Sequence, residues 1–97
     1  MEIKLTESES KGIVYINEGG DNLAEMTWVK GGEGYIIVDH TMVDDSLRGQ
    51  GVGQKLLNRI VELARARNLK ILPLCPFAVA AFNKTAEIRD VLYAQTE

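Results

Sequence analysis

The hydrophobic period of this chain changes at Leu47-Arg48-Gly49-Gln50-Gly51-Val52-Gly53, and that change narrows the folds open to it. Upstream, short apolar runs lie between glycine clusters, the pattern of strands and tight turns. Downstream, Gly53, Leu56, Leu57, Ile60, Leu63 and Ala64 recur at spacings of three and four, the pattern of a helix packing one face on a sheet. Between the two regimes stand three alternating glycines. Glycine lets backbone N–H groups approach a ligand with no Cβ in the way. A helix that starts there adds unpaired donors and the positive end of its dipole. Strand, glycine loop and helix in that order make an anion cradle, whose usual occupant is phosphate.

The upstream segments read as either a first strand or a loose terminus over Glu2 to Thr6, and as strands over Gly12 to Asn17, Leu23 to Val29 and Tyr35 to Val43. Glycine-rich turns at Glu18 to Asn22 and Lys30 to Gly34 join the last three as an antiparallel meander. In the third strand Leu23, Glu25, Thr27 and Val29 share one face, with Ala24, Met26 and Trp28 on the other. In the fourth, strict alternation puts Ile36, Val38, His40 and Met42 on one face, and Tyr35, Ile37, Asp39 and Thr41 on the other. The long helix ends with Arg65 and Arg67 in its last turn and Asn68 as a left-handed stop. Lys70 to Leu74 then reads as a short buried strand, Cys75-Pro76 as the opening of a second helix, and Ala86 to Tyr93 as a third. The expectation is one α/β domain over residues 1–97, a mixed, mostly antiparallel sheet with helices on its faces.

Composition removes several classes of function. Fourteen acids against 11 bases, a net charge of −3, argue against a nucleic-acid partner, which calls for a basic face. No apolar run approaches the roughly 20 residues of a membrane span, and Met1-Glu2-Ile3-Lys4 lacks the apolar stretch of a signal peptide. The single cysteine excludes an internal disulfide and fits a reducing, cytoplasmic setting. An acidic balance suits an amine or a basic peptide as partner.

Two familiar phosphate loops fail on these residues. A Walker loop begun at Gly49 meets Gln54 where glycine belongs, and Lys55 is followed by Leu56 rather than a hydroxyl residue. The dinucleotide fingerprint from Gly49 and Gly51 also finds Gln54 in place of its third glycine, and its loop follows no βαβ unit. A third pattern fits: Arg48-x-x-Gly51-x-Gly53, after an antiparallel strand and opening a long helix, resembles the acetyl-coenzyme-A loop of the GNAT N-acetyltransferase superfamily. With His40-Thr41 and Val43 before the loop and Pro73-Leu74-Cys75-Pro76-Phe77 after it, Gly12 to Leu92 is similar to the small YjdJ-type branch of that superfamily. The branch frequently has tyrosine after Cys-Pro, where this chain has Phe77, and often His-Pro-Glu-Tyr where this chain has Thr85-Ala86-Glu87-Ile88. The resemblance implies acetyl-coenzyme A as cofactor and an acetyl transfer to a primary amine, on a small molecule, a protein lysine or an N-terminus. It assigns the cofactor to Arg48, Gly49, Gln50, Gly51, Val52 and Gly53, with strand amides near Val43 polarising the acetyl carbonyl. A coenzyme-A-binding module without turnover, or a protein-interaction domain on the same fold, is the alternative. Oligomeric state is open.

Two residues carry the candidate chemistry. Cys75 is the only thiol, and a helix N-terminus favours its thiolate, although its apolar neighbours equally suit a core position. His40 is the only histidine: it is placed to deprotonate an amine, to pair with Cys75, or to bridge sheet and helix. Arg48 offers a bidentate grip on phosphate, while Asp44 and Asp45 would repel it unless turned outward. Phe77 and Phe82 flank a pantetheine arm or pack in the core. Larger members of the superfamily often use a tyrosine in this helix to protonate the leaving thiolate, and its match here, Phe82, has no acid.

Overall fold

The computed structural model describes residues 1–93. In chain order its elements are β1 (Lys4–Glu7), β2 (Lys11–Glu18), β3 (Asp21–Lys30) and β4 (Tyr35–Val43), a 3-10 turn (Asp45–Leu47), α1 (Val52–Arg67), β5 (Lys70–Pro73), α2 (Pro76–Lys84) and a 3-10 helix (Ala86–Val91). The last four residues of the expected domain lie outside those described. One sheet holds all five strands in sequence order, antiparallel from β1 to β4 and parallel between β4 and β5. The parallel pair needs a crossover, and α1 supplies it.

Alternation builds the core, as the sequence leads one to expect. Val14, Ile16, Ala24, Met26, Trp28, Ile36 and Val38 point to one face of the sheet and are buried there. Onto them α1 lays Val52, Leu56, Leu57, Ile60, Val61, Leu63 and Ala64, each fully buried large side chain contributing about 1.5–3 kcal/mol. Ala78, Ala81 and Phe82 of α2 and Ile88 and Val91 beyond it join the same cluster. The opposite face carries the partners of the outward rows, among them Ile13, Tyr15, Glu25, Thr27 and Val29, and these are only half-buried. It is hereafter the helix-free face.

The helix ends follow from residue type. Gly51 caps the start of α1 at φ +69°. Asn68 closes it at φ 59°, its N–H meeting the carbonyls of Ala64 and Arg65. The expected third helix is a 3-10 turn instead, closed by bonds three residues apart from Ile88 to Thr85 and from Leu92 to Arg89. The Arg89 guanidinium turns back onto the carbonyls of Phe82 and Asn83 at the end of α2. Leu92 then bridges to Ile71, and the Tyr93 ring stacks on Tyr35 with centroids 4.2 Å apart.

The fourth strand departs from strict alternation. Thr27 pairs with His40 and the next residue, Trp28, pairs with Val38, so Asp39 is an extra residue, a β-bulge. Its carboxylate accepts a 2.7 Å hydrogen bond from the Thr27 hydroxyl. A one-residue insertion reverses which face every later side chain takes. Ile36 and Val38 therefore face the helices, whereas His40 and Met42 lie on the helix-free face, beside their partners Thr27 and Glu25. Thr41 and Val43 pair with Met26 and Ala24 and so return to the helix side. The single face expected for Ile36, Val38, His40 and Met42 is split in two.

Strands β4 and β5 also part company. Their pairing stops at Val38 and Pro73; the amides of Leu74 and Cys75 both reach the Val38 carbonyl, at 2.9 and 3.3 Å, and α2 begins. Residues 39–43 keep β3 on one side and have a gap on the other. Asp44 donates to Leu23 in β3, so by antiparallel alternation the N–H and C=O groups of Val43 and Thr41 point into that gap.

Candidate active site

A cavity of about 500 Å3 opens where β4, the glycine loop, α1 and α2 meet. Val43, Arg48, Gly49, Gly51, Val52 and Gly53 line it, six of the seven residues to which the sequence assigns the cofactor. Gln50 does not line it; its side-chain amide reaches back toward the Ser46 carbonyl. The far wall is a stripe of α2, Phe77, Ala80, Ala81 and Lys84, spaced as one helical face. That spacing is present in the sequence, but without the loop opposite there is nothing to mark Ala80, Ala81 and Lys84 as a wall. Of the two phenylalanines, Phe77 lines the cavity, whereas Phe82 takes the packing role and is buried in the core.

The loop presents donors rather than side chains. The first backbone hydrogen bond of α1 runs from the Lys55 amide to the Gly51 carbonyl. Ahead of it, among the described residues, no carbonyl or side chain accepts from the N–H groups of Gly49, Gly51, Val52, Gly53 or Gln54. Gly49 at φ +85° and Gly51 at φ +69° hold a backbone course that side chains resist, which turns these amides toward one concavity. Gly53 has a different role: a Cβ there would stand 2.5 Å from the Phe77 ring, so its missing side chain lets α2 close on α1. Open donors at a helix start with two cations on the cavity wall fit a pyrophosphate-bearing cofactor.

Neighbouring acids are occupied. Asp44 accepts from the hydroxyl and amide of Ser46, at 2.6 and 3.0 Å, and these bonds hold its carboxyl below the usual carboxylate range. Asp45 lies 2.6 Å from the Arg48 guanidinium. Both of these side chains are at least 80% exposed, so the pair is weak and Arg48 is free to change partners.

The two candidate chemical groups do not meet. Cys75 caps α2 at 6% exposure, and its Sγ lies 3.1 Å from the Thr41 hydroxyl on the helix side of the sheet. His40 stands on the other face, where Nε2 lies 3.2 Å from Glu25 Oε2. The bulge at Asp39 separates them, so the Cys75–His40 pairing offered by the sequence is replaced by Cys75–Thr41 and His40–Glu25. Neither new partner shows itself in the sequence, because each contact crosses strands or elements.

An open sheet, a crossover helix begun by a donor-rich glycine loop, and strands diverging beside it define an α/β domain built around a phosphate-bearing ligand. The chain belongs to the GCN5-related N-acetyltransferase family, a family of acyltransferases, whose model matches residues 13–91. A GCN5-like protein from Staphylococcus aureus, solved by NMR, is 38% identical, with 97% of this chain and 91% of that chain covered and a TM-score of 0.73. Two more distant structures share the fold. An acetyltransferase from Bacillus anthracis, in complex with acetyl coenzyme A, is 18% identical over 79% of this chain and 47% of that chain, at TM-score 0.62. The GCN5 structure from Tetrahymena is 14% identical over 93% and 64%, at TM-score 0.64. This chain therefore spans about half to two thirds of those longer proteins. No curated protein matches the sequence. Among the described residues no helix is long and apolar enough to cross a membrane.

Proposed function

We propose that residues 1–97 act as a minimal acetyltransferase domain that binds acetyl-coenzyme A and transfers its acetyl group to a primary amine. The observation that carries this reading is the set of unpartnered amides of Gly49, Gly51, Val52, Gly53 and Gln54 at the mouth of the cavity. Those amides would hold the pyrophosphate, with Arg48 leaving Asp45 for a phosphate oxygen and Lys84 adding charge from the facing helix. Bound acetyl-coenzyme A supplies an acyl group activated as a thioester. Thr41 and Val43 turn backbone N–H groups into the gap between β4 and β5, where they serve as donors to a carbonyl oxygen. His40, on the helix-free face beside that gap, takes the proton of an amine arriving from the open side. Cys75 has a second possible use, as an acetyl carrier ahead of the amine, and its contact with the Thr41 hydroxyl supports it by offering the thiol proton an acceptor.

Coenzyme A is expected to raise the melting temperature of the purified chain, and no shift at millimolar ligand would remove the cofactor from this reading. Gly51→Val should abolish that shift while circular dichroism shows the fold retained, since it fills the cradle at a left-handed position. Mass spectrometry after incubation with acetyl-coenzyme A decides the use of Cys75: an acetyl adduct supports the carrier, and full turnover by Cys75→Ala returns the residue to the core. A panel of amines and basic peptides then identifies the acceptor class.

A further inference from the structure

A line of side-chain hydrogen bonds runs across one end of the helix-free face and stops at Glu25, whose free oxygen faces His40. Asn17 Nδ2 donates to Asn22 Oδ1 at 2.9 Å, and Asn22 Nδ2 donates to Glu25 Oε1 at 3.0 Å. The other carboxylate oxygen of Glu25, Oε2, lies 3.2 Å from His40 Nε2. The line starts in β2 and ends in β3, and the approach of Glu25 to His40 carries it to the bulged strand β4. Each link restricts the next. Asn22 spends its oxygen on Asn17 and is left with its amino group for Glu25. Glu25, at 23% exposure, spends one oxygen on Asn22 and aims the other at the imidazole.

The consequence falls on the ring. The 3.2 Å approach lacks the geometry of an N–H···O hydrogen bond, but a lone pair on Nε2 would be repelled by the carboxylate oxygen there. The hydrogen is therefore favoured on Nε2, and in the neutral imidazole the lone pair is then on Nδ1. Among the described residues none hydrogen-bonds Nδ1, and the His40 side chain is 53% exposed. A surface ion pair by itself would be worth about 0–1 kcal/mol and would fix nothing. Here the carboxylate is braced from behind, and the ring it orients sits at the bulge, beside the gap between β4 and β5.

We propose that Glu25, braced by Asn22 and Asn17, is the positioning residue of an acceptor-side proton relay: it holds His40 as the Nε2–H tautomer and leaves Nδ1 to take a proton from the substrate ammonium. The inference rests on the reading of His40 as the base. In the step, one N–H bond of the ammonium breaks, its electron pair stays on the amine nitrogen, and the proton forms a new bond to Nδ1. The imidazolium keeps its Nε2–H facing the Glu25 carboxylate, now as a full ion pair, and later gives the Nδ1 proton to water. Besides Glu25, the ionisable groups on this face near the ring are Tyr15, which pairs with Glu25 across β2 and β3, and Asp39, whose carboxylate accepts from Thr27. The substrate class that follows is an amine that arrives protonated and approaches from the face without helices.

The test combines nitrogen-15 imidazole spectra of the full chain with steady-state kinetics. The wild type is expected to show the Nε2–H tautomer. Glu25→Ala should mix the tautomers and lower kcat about tenfold, with the amine KM and the coenzyme-A melting shift unchanged. Glu25→Gln keeps one oxygen for Nε2 but sets its amino group against the Asn22 amino group, so it should keep the tautomer without the brace and recover only part of kcat. In a His40→Gln background Glu25→Ala should cost nothing more. An Nδ1–H tautomer in the wild type, an unchanged tautomer in Glu25→Ala, or an equal loss in the His40→Gln background would overturn the proposal. Failure of the wild type to bind coenzyme A would instead strike the cofactor reading, and the tautomer measurements would still decide the role of Glu25.

Discussion

Three glycines alternate in the loop, yet they are glycine for two different reasons. Gly49 and Gly51 hold a left-handed backbone, while Gly53 makes room for the Phe77 ring. Gly53→Ala should therefore destabilise the chain by about 1–3 kcal/mol, as overpacking does. Urea unfolding of the single variant and of Gly53→Ala/Phe77→Ala checks this, since removing the ring should restore part of the loss. Residue types that carry their own chemistry were legible without a structure. The loop glycines, Arg48, Cys75 and His40 announce what they are able to do wherever they sit. Their partners do not: nothing in a threonine at position 41 or a glutamate at position 25 says that it touches a thiol or an imidazole. Those roles come from contacts across 34 and 15 positions of sequence, and only the pairing of strands makes them.

At the scale of elements, the strands and helices follow the hydrophobic period closely, because the core enforces that period. β4 spans Tyr35–Val43, and Asn68 and Cys75 fall at the helix caps where the sequence puts them. The bulge was not legible: one extra residue leaves composition and apparent alternation intact while changing what faces what. The last segment misled for a related reason, since the apolar spacing of Ile88 and Val91 suits a 3-10 turn as well as an α-helix. Two ion pairs hold the C-terminal end of α1 in place. Arg67 meets Glu7 of β1 at 2.6 Å, and Arg65 grips Asp90 through two nitrogens, at 2.7 and 2.9 Å. Hydrogen bonds from these arginines are the main cause that holds the Glu7 and Asp90 carboxyls below their ordinary values of 4.5 and 3.8. Depressed carboxyls stabilise the fold fully above those ordinary values and lose that contribution as pH falls through the lower, folded ones. Urea midpoints should thus stay level near neutrality and decline below about pH 4. Glu7→Gln with Asp90→Asn should flatten that decline, and a decline of unchanged steepness would relocate its cause.

At the scale of the whole molecule, the cavity is a junction: strand, loop and both helices each contribute one wall. A ligand lodged there links elements that otherwise touch only through the core. Coenzyme A at a hundredfold excess over its Kd should add about 2.7 kcal/mol of stability. In a chain of this size each kcal/mol is worth about 4–8 °C of Tm, so a shift of about 10 °C or more is the expected scale. Hydrogen exchange should slow at residues 49–55 and at Thr41 and Val43, while β1, at the far edge of the sheet, stays unchanged. A rise in protection spread evenly over the chain would point to global stabilisation without a seat in the cradle. The extra residue at Asp39 sets how this molecule is divided between its two sides. Before it, β4 is a wall, and after it the same strand is a threshold with different furniture on each side. Were Asp39 instead taken into regular pairing opposite Thr27, alternation would run on without interruption, carrying His40 beneath the helices and turning Thr41 out to water. A shift of one position in pairing, with no new chemical group, would thus swap the side chains that look toward the cofactor with those that look toward the acceptor.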